Sequence, residues 1–239
     1  MPNALEVNKL AVSFGAVSVL KDVTFAIAPG EVIGLIGSNG AGKTTTLRAI
    51  SGTVRPNKGR IAVGDESMIG KPQKSARAGI VHVPEGRGLF TQLTVRQNLR
   101  LGAVAVGRDL GLNDIPSILA IFPKLEALLD TRSGYLSGGE QQMVTIARGL
   151  LAGPKVLMVD ELSLGLAPRI ISEILAALLA ESRARNTALL IVDQNVRGLA
   201  EVCDRILLLH KGVTSDATND VEQIARDAYL GTNSSSTHL

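Results

Sequence analysis

The sequence predicts an α/β fold: a mostly parallel sheet with helices on both faces, an antiparallel β section at its start and a helical section inserted midway. Three patterns carry that expectation. Short apolar runs recur and end in glycine or a carboxylate, as in "VIGLIG", "KVLMVD" and "ALLIVD", and strands covered on both faces read this way. Helical spacings alternate with these runs, which is the pattern of a parallel sheet. The first thirty residues differ, placing apolar side chains at every second position, as antiparallel strands with one solvated face do.

Taken in order, "LEVNKLAVSF" and "VLKDVTFAI" are the antiparallel strands, closed by Pro29-Gly30. "EVIGLIG" is the first buried strand, and Lys43 to Ser51 reads as a helix stopped by Gly52. "GRIAVG" and "GIVHV" are further strands. From Leu93 the spacing turns helical in "LTVRQNLRLGAV" and again in "IPSILAIFPKLEALL", so residues 91–134 are expected to form an inserted helical subdomain. Strand and helix then alternate through "KVLMVD", "RIISEILAALLAESRAR", "TALLIVD", "NVRGLAEVC" and "RILLLH". The expected organisation is one domain over residues 1–239, its core built from 1–90 and 135–231. The polar ending over 232–239 is expected to be a flexible tail.

Composition narrows the field. At 239 residues, 45% apolar and 20% charged, the chain can bury a substantial core. No apolar stretch approaches the about 18 residues of a membrane span, and no signal peptide is legible; the expected location is the cytoplasm. A single cysteine, Cys203, permits no internal disulfide and reads as core packing. A net charge of +3, with two tyrosines and four phenylalanines, does not describe a nucleic-acid binder.

Gly37, Ser38, Asn39, Gly40, Ala41, Gly42, Lys43 and Thr44 fill every fixed place of G-x-x-x-x-G-K-[ST], between an expected strand and an expected helix, with Thr45 next. The glycines let successive N–H groups turn inward into an anion nest, which the positive helix end reinforces. Lys43 brings a full charge to the outer phosphates, and the Thr44 hydroxyl suits Mg2+. The loop is expected to hold a nucleoside triphosphate. Asp160 and Glu161 end the strand "KVLMVDE". Neighbours on a strand point to opposite sides, so the two acids serve different roles. Asp160 is the expected metal ligand and Glu161 the expected base for an attacking water.

A second anion site is legible at "YLSGGEQQM". Ser137 and the N–H groups of Gly138, Gly139 and Glu140 begin a helix, a favourable place for phosphate. It has no lysine, so it is half a site, with Leu136 before it and Gln141 after it. "LSGGEQQ" with "DELSLGLAP" some twenty residues on resembles the signature of ABC-transporter ATPase subunits. The resemblance runs from Leu5 to about Gly231, with the motifs in the family's order. "VPEGRGLFTQLTVRQNL", "SLGLAP", "VDQNV" and "AYLG" are similar to the LivF branch, the second ATPase of branched-chain amino acid importers.

The resemblance implies a P-loop NTPase of the ABC type that binds ATP with Mg2+ and hydrolyses it. Two such subunits would close head to tail, each signature capping the nucleotide in the other's phosphate loop. It further implies transmembrane permease subunits, a second ABC ATPase subunit (a heterodimer in the complex, with a homodimer possible in isolation), a solute-binding protein outside the membrane, and a place on the membrane's inner face. Phe14 takes the place of the residue that stacks on adenine. Ser163 to Leu166 matches the loop crossing the dimer interface, with Leu162 where proline is usual and Ala167 where aspartate is usual. Glu85 stands where the family has a glutamine near the metal. Gln194 stands where it has a histidine facing the γ-phosphate; it can donate a hydrogen bond but cannot bring positive charge. Two other readings remain: the same role for urea or short amides, and a non-transport ABC ATPase acting on nucleic acid or ribosomes, for which no coiled coil or cysteine cluster is visible.

Overall fold

The computed structural model describes residues 2–64, 66–107 and 114–221. The expected tail over 232–239 and the "AYLG" motif lie outside these residues.

The N-terminal alternation folds as β1 (Leu5–Phe14) and β2 (Val17–Ile27), paired antiparallel, with β4 (Lys58–Val63) and the two-residue β5 (Glu66–Ser67) beyond β1. The apolar runs become β3 (Val32–Ile36), β6 (Ile80–Val83), β7 (Val156–Asp160), β8 (Ala188–Val192) and β9 (Arg205–His210), side by side in the order β9-β3-β8-β7-β6 and all parallel. A strand the sequence did not suggest, β10 (Val213–Asp216), runs antiparallel to β9 and touches β2 through Val213 and Asp22. It joins the antiparallel section to the parallel one, so the ten strands among the described residues make a single sheet. β10 and β5 are short and mostly exposed, too short for an alternation to register.

Both faces of the central strands are buried, which explains their unbroken apolar composition. On β7, Leu157 and Val159 enter one core while Val156 and Met158 enter the other; Leu189 and Ile191 of β8 divide from Ala188, Leu190 and Val192 in the same way. Helix α1 (Lys43–Ile50) packs Leu47, Ala49 and Ile50 on the second face together with the antiparallel strands. Helices α5 (Gly138–Leu151) and α6 (Pro168–Arg185) cover the first. Each large side chain so buried contributes about 1.5–3 kcal/mol. In β3, a Cβ on Gly34 would stand 2.6 Å from Ile206 and 3.2 Å from the Cys203 sulfur, so glycine lets the neighbouring layer close. Cys203 is partly buried, and burial, with Asp204 beside it, pushes its thiol up to about 12. A thiol held neutral in this way is a poor nucleophile, in keeping with a packing role.

Between β6 and α5 the chain forms α3 (Val95–Val104), α4 (Asp114–Ile121) and two 3-10 turns, Pro123–Leu128 and Ser133–Tyr135. Thr94 begins α3 through a capping box with Gln97, the arrangement that "TVRQ" encodes. Asn98 is fully buried and holds the section together: it accepts from the Phe90 N–H at 3.1 Å and donates to the Phe90 and Thr94 carbonyls and the Ser133 hydroxyl at 3.0, 3.1 and 2.9 Å. The close approach of α3 to α5 depends on Gly102, where a Cβ would lie 2.1 Å from the Arg148 carbonyl oxygen. Gly102→Ala is therefore expected to force the helices apart at a cost of about 1–3 kcal/mol, seen as a lower urea midpoint. Two smaller differences from the sequence pattern are α2 (Pro72–Arg77), which had no clear periodicity, and "NVRGLAEVC", of which only Val196–Ala200 is helical (α7).

His82 on edge strand β6 carries a pH consequence. Burial, reinforced by the Arg48 charge, lowers its pKa to about 4, and its Nε2 has no hydrogen-bond partner. The unfolded chain takes up this proton near 6.5 and the folded chain does not until about 4. Stability is therefore intact above the unfolded value and is lost as pH falls through that window, by about 2 kcal/mol at pH 5. Urea unfolding at pH 8 and pH 5 should show that loss, and His82→Phe should remove its share of it.

Candidate functional site

The phosphate loop lies where a parallel sheet places ligand sites, at the carboxyl end of β3. Gly42 precedes α1 with φ 106°, and a Cβ there would meet Leu20 at 2.5 Å; a Cβ on Gly37 would meet the Leu209 carbonyl oxygen at 2.5 Å. Sequence reasoning assigned these glycines to phosphate approach, and packing against β2 and β9 requires them too. Lys43 is 6% exposed and lies back over the loop, its Nζ donating to the Gly37 and Ser38 carbonyls at 2.8 and 3.2 Å. Those two carbonyls hold the ammonium where a bound phosphate would draw it forward. Ala41 donates its N–H to the Ser38 carbonyl at 3.1 Å, closing the turn.

A cavity of about 470 Å³ opens in front of this loop. Asn39, Gly40, Gly42, Lys43, Thr44 and Thr45 line it, and so do Glu85, Glu161, Leu164 and Gln194 from three other segments. The structure thus gathers both unusual residues, Glu85 and Gln194, with the expected base. Strand β7 ends at Asp160, and Glu161 follows at φ +50°. This left-handed turn at a non-glycine residue is a strained conformation of the kind that clusters at functional sites. It carries Glu161 out of the strand's alternation, so the adjacent acids face different surroundings. Gln194 does not stand free: its Nε2 donates to both Glu161 carboxylate oxygens, at 3.0 and 3.1 Å.

Asp160 is 1% exposed, and neither of its carboxylate oxygens has a hydrogen-bond partner. Burial holds its carboxyl above the ordinary carboxylate range. The Thr44 hydroxyl pulls the other way without reaching hydrogen-bonding geometry, Glu161 and Glu85 push upward again, and Lys43 offsets a part. A buried carboxylate left unpaired is costly. Two such oxygens beside a threonine hydroxyl are hard donors that suit Mg2+. Among the described residues no group of three or more acidic, histidine or cysteine side chains could hold a metal by itself. Magnesium sites commonly use one or two protein oxygens and leave the rest to phosphate and water, so the residues present fit the ion.

Phe14 ends β1 with 53% of its surface exposed, paired across the hairpin with Val17. It is not core packing, and its face is free for a planar ring. The helix start expected to offer a second anion site is formed: Ser137 caps α5, its Oγ accepting from the Glu140 N–H at 3.4 Å while Glu140 Oε2 accepts from the Ser137 N–H at 2.8 Å. The Ser137 hydroxyl also donates to Glu140 at 2.8 Å, a bond a phosphate would have to replace. Leu136 is buried beneath the motif. A Cβ on Gly138 would stand 2.8 Å from the Arg87 guanidinium and one on Gly139 2.9 Å from Ile170. None of residues 136–141 lines the phosphate-loop cavity. The phosphate loop and the Ser137 helix start are thus two separate places on the chain.

Two residues inside the sequence motifs have a place that the motifs themselves do not indicate. Arg87, two places after Glu85, donates to Gln141 Oε1 at 2.8 Å and joins the Glu85 loop to α5. Asp193, just before Gln194, is 3% exposed and accepts from Ser163 and Asn195. Its position beside Gln194 was the one signal available; only the fold shows that Ser163 faces it.

The ABC transporter family model matches residues 20–163. The chain is 37% identical over 232 residues to the high-affinity branched-chain amino acid transport ATP-binding protein BraG of Pseudomonas aeruginosa, covering 95% of this chain and 99% of that protein. It is 34% identical to the lipopolysaccharide export system ATP-binding protein LptB of Acidithiobacillus ferridurans, covering 97% and 98% respectively. A solved ATP-binding subunit of an ABC transporter superposes with a TM-score of 0.81 at 30% identity, covering 95% of this chain and 98% of its own. The match takes in the phosphate loop, the start of the signature helix and the acid pair, and the relatives are matched over almost their whole length: the chain belongs to the ABC transporter family as one of its ATP-binding, ATP-hydrolysing subunits.

Proposed function

We propose that this subunit energises import of branched-chain or other hydrophobic amino acids, working on the inner face of the membrane. No described helix is long and apolar enough to cross a bilayer, and subunits of this family work as dimers bound to transmembrane permeases. The partner we assign is a second ABC ATPase subunit, as a heterodimer in the complex, with a solute-binding protein acting through the permeases. The observation that carries the reading is the division of the site: the phosphate loop and Glu161 line one cavity, with Asp160 buried at the end of β7 just before Glu161, and Ser137 does not line it. A second subunit's signature would complete that cavity. The cargo follows from the near full-length likeness to BraG.

ATP would lie with its phosphates over the N–H groups of residues 37–45 and its base against Phe14. Lys43 exchanges the Gly37 and Ser38 carbonyls for the outer phosphates. Thr44 and Asp160, with Glu85 nearby, would hold Mg2+, which when bound withdraws charge from the phosphoryl oxygens. Glu161 orients a water and accepts its proton; the water oxygen bonds to the γ-phosphorus as the bond to the bridging oxygen breaks, leaving ADP and phosphate. Gln194 steadies the Glu161 carboxylate but supplies no positive charge, so this site turns over more slowly than that of a histidine-bearing partner. ATP binding favours the closed pair and product release the open one, and that difference in affinity moves the permease. The surface assigned to the permease is a cleft of about 430 Å³ between β6, α3 and α5, with Phe90 57% exposed at its edge under Arg148.

Purification of the tagged chain from its own membranes tests the proposal. Permease subunits and a second ATPase should accompany it, and the reconstituted complex should hydrolyse ATP faster with leucine-loaded binding protein. Stimulation by urea or short amides in place of leucine would move the cargo to those solutes, and recovery of nucleic acid or ribosomes would overturn the transport reading. The LptB relative supports a second reading, an export ATPase; ATP hydrolysis indifferent to any binding protein would favour it.

A further inference from the structure

We propose that Asp193 is a positioning residue for hydrolysis: it locks the chain leaving β7 to the chain leaving β8 and thereby sets the place of Glu161. The inference rests on the reading of Glu161 as the base. Asp193 Oδ2 accepts from the Ser163 backbone N–H at 2.7 Å, and Oδ1 accepts from the Ser163 hydroxyl at 2.6 Å and the Asn195 N–H at 2.9 Å. Hydrogen bonds to an ionised acceptor are shorter and stronger than neutral ones, and together they offset the cost of burying the carboxylate.

Its position gives the clamp its role. The β7–β8 ladder ends with Asp160 opposite Val192, and Glu161 donates its N–H to the Val192 carbonyl at 2.8 Å. Asp193 is the next residue along β8's exit, and Ser163 lies two residues past Glu161 on the other exit. Glu161 is therefore held between the last rung of the ladder and the clamp, at φ +50°, a conformation that persists only where surroundings over-determine it. Gln194, which donates to both Glu161 oxygens, is the residue bonded directly to Asp193. One buried carboxylate so fixes the backbone of the base on one side and the amide that contacts it on the other. The side chains flanking Ser163 cannot share the task, because Leu162 and Leu164 carry no polar atom; Leu162 is buried and Leu164 is 55% exposed at the loop's tip.

Steady-state ATP hydrolysis by the full chain tests this. Asp193→Asn should lower kcat roughly tenfold to a hundredfold while the KM for ATP stays within about twofold, the pattern of a displaced catalytic group. Ser163→Ala should act in the same direction but less, because the backbone N–H remains, and Ser163→Thr should restore kcat to within about twofold by keeping the hydroxyl. The double variant Ser163→Ala with Asp193→Asn should be no slower than Asp193→Asn alone, since the hydroxyl contact that Ser163→Ala removes is part of the clamp that Asp193→Asn already breaks. Without nucleotide, exchange of the Ser163 amide proton should quicken in Asp193→Asn. The proposal is overturned if both single variants keep parental kcat while Glu161→Gln is inactive. It is equally overturned if lost activity only tracks lost folded protein and threonine does not rescue. A Glu161→Gln variant that still hydrolyses ATP would instead sink the assignment of the base.

Discussion

Glu161→Gln is expected to slow ATP hydrolysis by about 10²–10³-fold while ATP affinity changes by no more than about twofold. The amide keeps the shape of the side chain and can still accept from Gln194, but it cannot take the water's proton. Lys43, the loop N–H groups and the acceptor oxygens of Asp160 are untouched, so binding should persist. With ATP bound and not consumed, the two-subunit closed state should accumulate, visible as ATP-dependent growth in size on gel filtration. Phosphate release and titration with a fluorescent nucleotide check the two halves of the expectation. Equal losses of binding and hydrolysis would mean that Glu161 holds ATP and does not act on water.

Asp160→Asn should push stability and activity in opposite directions. In the nucleotide-free chain the Asp160 carboxylate is buried with both oxygens unpaired, and its pKa is raised chiefly by burial. A carboxyl whose folded pKa is raised destabilises the fold above that pKa, and the penalty disappears as pH falls through it and below the unfolded value. Replacing it with a neutral amide should stabilise the free chain at neutral pH by about 1–3 kcal/mol, raising the melting temperature by some 2–4 °C per kcal/mol for a chain of this size. The same change removes the oxygen charge that suits Mg2+, so the gain in melting temperature that Mg2+ and ATP together give the parent should be lost, and hydrolysis with it. Melting curves with and without Mg2+ and ATP measure both effects. A variant that is less stable alone and still responds to Mg2+ would refute the assignment of Asp160.

The parts legible in the sequence share a property: each is a local pattern whose chemistry does not depend on what lies opposite. The phosphate loop, the acid pair and the helix start at Ser137 are all set by contiguous residues, because nests, strand ends and caps are made from neighbouring backbone groups. The parallel strands were equally plain, because burial on two faces leaves no room for polar positions. Elements made by distant pairing were not legible. β10 joins the two halves of the sheet with four residues of no distinctive composition. Asn98 in "RQNLR" reads as an ordinary polar helix position, and only its neighbours Phe90 and Ser133 reveal a buried hub. The tight place of Gly102 depends on a carbonyl almost fifty residues away.

What the sequence alone determined is the chemistry on offer: an anion nest with its lysine, two acids at the end of a buried strand, and a second helix start without a cation. The tertiary structure decided which groups meet. It brought Glu85, Glu161 and Gln194 into one cavity and kept Ser137 out of it, placed Gln194 on Glu161, and set Asp193 across from Ser163. The reason is physical: backbone geometry and side-chain type act over a few residues and can be read along the chain. Which loops adjoin follows from the order in which strands assemble into the sheet, and burying the two cores on either side of that sheet is what selects the order.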